Sequence, residues 1–164
     1  MNSKKLFIWG FLFMSVIGTL LHFVYEWSGN NSIVRLFAPW NESTWEHMKL
    51  LFFPMLVLVL FLFFKLPEQS PIPVALSIGT LVGLALIPIL FYTYTGVLGF
   101  SVMAIDIAIF YISVLGIFLT GWFLKDNRKL ANRNGLLLTC LVILAILFFI
   151  FSYYPPEIGL FQEP

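Results

Sequence analysis

Apolar residues run along this chain in long stretches, and the polar residues collect in the gaps between them. The stretches cover residues 6–25, 47–64, 72–92, 100–124 and 136–154. Each is about 17–25 residues long, which matches the ~20 residues an α-helix needs to cross the hydrocarbon core of a bilayer. The pattern predicts an all-α integral membrane bundle of about five transmembrane helices, forming a single transmembrane domain over residues 1–164. An odd number of spans puts the two termini on opposite sides. The first stretch follows Met1-Asn-Ser-Lys-Lys5 in the manner of a signal peptide, but it is too long and ends at His22-Phe-Val-Tyr-Glu-Trp27 without small-residue cleavage spacing. It is expected to remain as the first helix.

Composition sharpens the class. Of 164 residues, 60% are hydrophobic, 18% aromatic and only 10% charged, against about 25% charged in soluble proteins. A water-soluble fold of this size could not hide so much apolar surface. The net charge of +1 gives no electrostatic case for nucleic acid, and the lone Cys140 excludes an intrachain disulfide or a cysteine-based zinc site.

The placement of charge carries more information than its sum. With a cytoplasmic N-terminus, Lys4, Lys5, Lys65, Lys125, Arg128, Lys129 and Arg133 all fall inside, and only Arg35 and Lys49 fall outside. That bias fits retention of positive charge on cytoplasmic flanks, so the C-terminus is expected outside. Trp27, Trp40, Trp45, Tyr92, Tyr94, Tyr153 and Tyr154 then lie at the outer boundary, as an aromatic belt does. The cell membrane, and a bacterial plasma membrane in particular, is the expected location.

The inner connections, 65–71 and the basic turn 125–134, are too short to hold a soluble domain. The outer connection, 27–44, is longer, and its Ile33-Val-Arg-Leu-Phe37 segment could lie along the membrane surface as a lid over the helix ends. Ala75, Gly79 and Gly83 repeat at four-residue spacing in the third span, which predicts close approach of another helix and a central position in the bundle. Pro88, near the outer end of that span, is expected to kink it.

The candidate chemistry sits at the outer end. His22 and Glu26 are four apart and share a helix face. Glu42, Glu46 and His47 open the second helix at the same membrane level. Asp106, placed about two turns into the fourth helix, costs a few kcal/mol in hydrocarbon unless partnered. His22, Glu26, Glu46, His47 and Asp106 are candidate ligands for a divalent metal, Zn, Mn or Fe. Such an ion could acidify a bound water and present hydroxide to a carbonyl or phosphoryl group. Glu42 is the candidate general base, and Tyr94 and Lys49 are candidates to stabilise developing negative charge.

Structural explanations stand beside these. Ser43-Thr-Trp-Glu46 matches a helix capping box, so Glu46 could serve the helix start, and Glu42 could serve the helix dipole. His22 and Glu26 could simply bond one another. Asp106 could bond a neighbouring helix or pair with Lys49 or Arg35. Trp45-Glu46-His47 also lacks the second histidine of an H-E-x-x-H zinc motif.

The residues His22-Phe-Val-Tyr-Glu-Trp27, Asn41-Glu-Ser-Thr-Trp-Glu-His47 and Leu51-Phe-Phe-Pro54, with Tyr94-Thr-Gly96 and the Pro155-Pro156 tail, together resemble a family of small bacterial polytopic membrane proteins known only as a domain of unknown function. The resemblance runs along most of the chain and implies a membrane bundle without implying an activity. Three functions remain open. The first is a metal-dependent hydrolase working among membrane lipids at the outer leaflet on a lipid, lipid-linked or peptide substrate. The second is a non-enzymatic accessory, immunity or partner-binding subunit. The third is a cation or solute transporter component, which is disfavoured because no ionisable residue lies between Asp106 and the inner rim of any span.

Overall fold

A computed structural model describes residues 2–131 and 134–164. Among these the chain is all-helical, without strands, and 78% of it is helix. Five long helices carry the fold: α1 (Ser3–Trp27), α2 (Thr44–Lys65), α3 (Ile72–Leu98), α4 (Met103–Leu124) and, after a short α5 (Arg128–Ala131), α6 (Asn134–Tyr153). All five are long and apolar enough to cross a membrane, which suits them to a multi-pass membrane bundle. Because the bilayer offers no hydrogen bonds, helices that satisfy their own backbone are the natural solution for such runs. Arg133, which the charge pattern assigns to the inner side, lies outside the described residues.

The expected spans match the helices in number and order, but two junctions differ. The fourth helix begins at Met103 rather than at Phe100, because Gly99 closes α3 in a left-handed conformation (φ +81°) and Val102 is extended before the new helix starts. Asp106 is therefore in the first turn of α4 rather than about two turns in. The basic turn before α6 also winds into helix at α5.

The small residues of α3 do what their spacing predicts. A Cβ on Gly79 would stand 2.4 Å from the Ile117 carbonyl oxygen, and one on Gly83 would stand 2.6 Å from the Ile117 side chain. The two backbones thus meet at a distance only glycine allows. Ala75, one turn before Gly79, is fully buried. Helix α3 continues through Pro88 to Leu98 as one element.

Between α1 and α2 the close approach has a chemical cause. Pro54 lies inside α2 and has no N–H, so the Leu50 carbonyl lacks its usual helical donor. Gly18 of α1 sits against that oxygen, where a Cβ would be only 2.8 Å away. One turn beyond Gly18 is His22, so this approach sets how near α1 comes to α2 at the level of the histidines.

The ends of the bundle are packed with aromatic rings. Trp45 lies 4.5 Å from Phe148 and 4.9 Å from Phe161, tying α2 to α6 and to the C-terminal tail. Phe37 of the 28–43 loop meets Phe53 and Phe149 at 5.2 and 5.3 Å. At the opposite end Phe7 meets Trp122 edge-on at 5.4 Å. Each such pair contributes roughly 0.5–1.5 kcal/mol beyond its buried area.

Candidate metal centre

The 28–43 loop returns the chain from α1 to the start of α2 at one end of the bundle, here termed the loop end. Ser43 is the N-cap of α2, and its hydroxyl accepts from the Glu46 backbone N–H at 3.3 Å. This is half of a capping box. In the full motif the glutamate side chain returns to the N-cap N–H, but here Asn41 Oδ1 accepts from Ser43 N at 3.1 Å. Glu46 is released for other work, and the loop is turned so that Glu42 faces the first turn of α2.

Three side chains converge there. His22, Glu42 and His47 each offer a ligand atom, and these atoms all lie within 4.8 Å of one another. The imidazole of His22 lies 5.3 Å from that of His47, centroid to centroid. His47 Nε2 is 3.4 Å from Glu42 Oε2. Ligands on a tetrahedral zinc ion at about 2.0–2.2 Å are about 3.3–3.5 Å apart, so this pair already has the spacing of a coordination edge.

Protonation follows from the partners. His47 Nδ1 is 3.0 Å from the Ser43 carbonyl oxygen. A carbonyl only accepts, so Nδ1 carries the hydrogen and Nε2 presents a lone pair unless the ring is protonated. Metal-binding histidines are commonly held this way, the second nitrogen donating to a carbonyl. A bare Nε2 facing a carboxylate oxygen at 3.4 Å calls for a positive charge nearby, whether a proton on the ring or a metal ion. His22 adds a second demand, since its Nδ1 is buried without a hydrogen-bond partner.

Of the three, His22 and Glu42 also line a cavity of about 110 Å³, whose other walls include Tyr25, Glu26, Trp40 and Asn41. Glu42 is 66% exposed and His47 31%, so the site opens outward at the loop end. Glu26 shares the cavity wall, and no hydrogen bond joins it to His22 among the described residues.

The other candidate residues lie in two separate arrangements. Glu46 and Lys49 form a buried ion pair, Nζ to Oε2 at 2.6 Å. Lys49 also donates to Ser152 Oγ at 2.5 Å and to the Arg35 carbonyl at 2.9 Å. All three ammonium hydrogens are engaged, and the side chain is fully buried. Asp106, for its part, accepts from the Tyr94 hydroxyl, which in turn accepts from the Val102 N–H at 3.0 Å. Its partner is thus Tyr94, rather than Lys49 or Arg35, and the N-terminus of α4 favours its charge. The network also includes residues that the sequence pattern leaves unmarked. Ser152 is one, a polar residue in the last turn of an apolar helix; beside it Tyr153, which the pattern marks only as part of the aromatic belt, donates its hydroxyl to the Ser32 carbonyl at 2.7 Å.

The whole chain, residues 1–164, matches the family of unknown function DUF6512, and the protein belongs to that family. Neither the curated proteins nor the solved structures contain a match to it.

Proposed function

We propose that this family member is a multi-pass membrane protein whose His22, Glu42 and His47 hold a divalent transition metal, zinc being the best fit, at the loop end of the bundle. The observation that carries the reading is the convergence of three ligand atoms within 4.8 Å, with the His47 tautomer set for coordination through Nε2. Two imidazoles and one carboxylate are a donor set suited to zinc. Three protein ligands leave a fourth position open, which is the arrangement of catalytic rather than structural zinc sites.

A water in that position would be acidified by the ion and face the cavity. Glu26 lines the same wall, so it takes the role of general base, while Glu42 serves as a ligand. The reaction this reading implies is hydrolysis of an acyl bond. Held by His22, Glu42 and His47, the ion would polarise the carbonyl and acidify the water; Glu26 would take the proton the water loses on attack and pass it to the leaving amine or alcohol. A neutral acyl group suits the cavity better than a phosphoryl group. Its charged walls are carboxylates, and the nearby Lys49 has every N–H occupied. The open side of the site faces the bundle end, where a lipid-linked or peptide substrate could present such a bond.

A second reading has its own support. The 3.4 Å separation of His47 and Glu42 also suits an ion pair with protonated histidine, which would make the cluster a surface lock in a non-enzymatic accessory subunit. Metal analysis separates the two. Detergent-purified protein, prepared without chelator, is compared with the His22→Ala/His47→Ala variant by elemental analysis. About one zinc per chain in the wild type, lost in the variant, is expected. A well-folded wild type that takes up neither endogenous nor added metal would leave the ion-pair reading in possession of the site.

A further inference from the structure

The loop that supplies Glu42 is clamped from the far end of the sequence. Lys49 Nζ holds the Arg35 carbonyl at 2.9 Å and Ser152 Oγ at 2.5 Å. The Arg35 guanidinium donates back to the Ser152 carbonyl at 2.6 Å and lies 3.7 Å over the Trp40 ring. Tyr153 donates its hydroxyl to the Ser32 carbonyl at 2.7 Å. Glu46, the partner of Lys49, accepts from Trp40 N at 3.4 Å. Trp40 is a wall of the cavity and lies two residues before Glu42. The last turn of α6 therefore holds the loop directly at Ser32 and Arg35, and through Arg35 and Glu46 it reaches Trp40, two residues before Glu42.

Helix α6 is otherwise the most weakly held of the five spans, with 17% of its apolar window buried, against 56% for α2. Its docking rests heavily on this polar clamp and on the aromatic contacts of Phe148 and Phe149 with Trp45, Phe53 and Phe37.

We infer that Ser152 and Tyr153 are positioning residues for the metal site, and that docking of the end of α6 and occupation of the site stabilise each other. The inference rests on the metal reading above. Coordination tolerates ligand displacements of only about 0.2 Å, so a loop released from α6 no longer holds Glu42 at a coordination edge from His47. Linkage makes the effect mutual: whatever tightens metal binding through α6 must be tightened by the metal in return. A partner or membrane deformation that draws α6 away would then empty the site.

The test uses full-length protein in detergent with zinc as the probe. Zinc affinity is measured for the wild type, Ser152→Ala, Tyr153→Phe and the double variant, and amide exchange of residues 148–153 is followed with and without zinc. The double variant is expected to bind zinc at least tenfold more weakly, in line with the 10–100-fold losses seen for outer-shell partners of metal ligands. Zinc is expected to slow exchange at the end of α6 in the wild type. Zinc affinity of the double variant within twofold of the wild type overturns the inference. If the double variant does not fold, the wild-type exchange decides, and zinc that leaves residues 148–153 unprotected overturns it. A wild type that binds no zinc at all marks failure of the metal reading instead.

Discussion

Replacing Gly18 by alanine tests whether the approach of α1 to α2 builds the site. The added Cβ would lie 2.8 Å from the Leu50 carbonyl oxygen and 2.5 Å from Phe110 Cζ. The phenyl ring can swing aside, but the carbonyl belongs to the α2 backbone. Ordinary contact begins at 3.4 Å, so α1 must retreat by about 0.6 Å at this level. Overpacking of this kind costs about 1–3 kcal/mol of stability. The retreat also carries His22, one turn on, away from His47, by more than the ~0.2 Å that a metal site tolerates. Zinc affinity should fall about 10–100-fold, or about 1.4–2.8 kcal/mol. Competition against a chromophoric zinc chelator reads the affinity, and thermal unfolding with and without zinc reads the coupling to stability. Gly96→Ala is the control, since nothing lies within 4 Å of a Cβ there. A Gly18→Ala protein that melts earlier yet binds zinc within about twofold of the wild type would refute the idea that this helix contact sets the ligand geometry.

Two further substitutions separate the remaining polar groups from the centre. Tyr94→Phe removes the hydroxyl between Asp106 and the Val102 N–H; it should cost about 1.5–3 kcal/mol by thermal or denaturant unfolding while leaving zinc content unchanged. Lys49→Met strands the buried Glu46 carboxylate and should cost about 3–5 kcal/mol. Adding Glu46→Gln should recover much of that loss in the same unfolding assay, because the pair is then removed together.

Hydropathy alone predicts the five helices, since few residues other than apolar ones can fill a bilayer-length helix. The glycine seam of α3 was also legible, because spacing of four places Gly79 and Gly83 on one face. The candidate site was legible only as a list of residues. His22 and His47 lie at matching levels of two connected helices, so their proximity follows from topology. Which glutamate joins them does not. Glu42 and Glu46 flank the same helix start, and the choice depends on Asn41 taking the N-cap N–H and on Lys49 drawing Glu46 inward. The Lys49 partner Ser152 is 103 residues away, a pairing that no local pattern encodes. Hydropathy puts Asp106 too deep because Phe100 is apolar, and it does not register that Gly99 turns the chain before the helix resumes.

The length of α3 bears on where this protein can reside. Its 27 residues span about 40 Å, whereas a typical hydrocarbon core is about 30 Å thick. The seam through Gly79 and Gly83 keeps α3 alongside the shorter α4, whose 22 residues reach about 33 Å, so the excess is carried past one end of the pair. With Ile72 at the opposite edge of the hydrocarbon, Tyr94 lies about 33 Å along the axis, level with the headgroups, and Asp106 is beside it. The carboxylate is then spared the apolar interior by helix length as much as by its tyrosine. On that placement, a bilayer several ångströms thicker would draw the pair into hydrocarbon, at a cost of the order of fractions of a kcal/mol per ångström of mismatch.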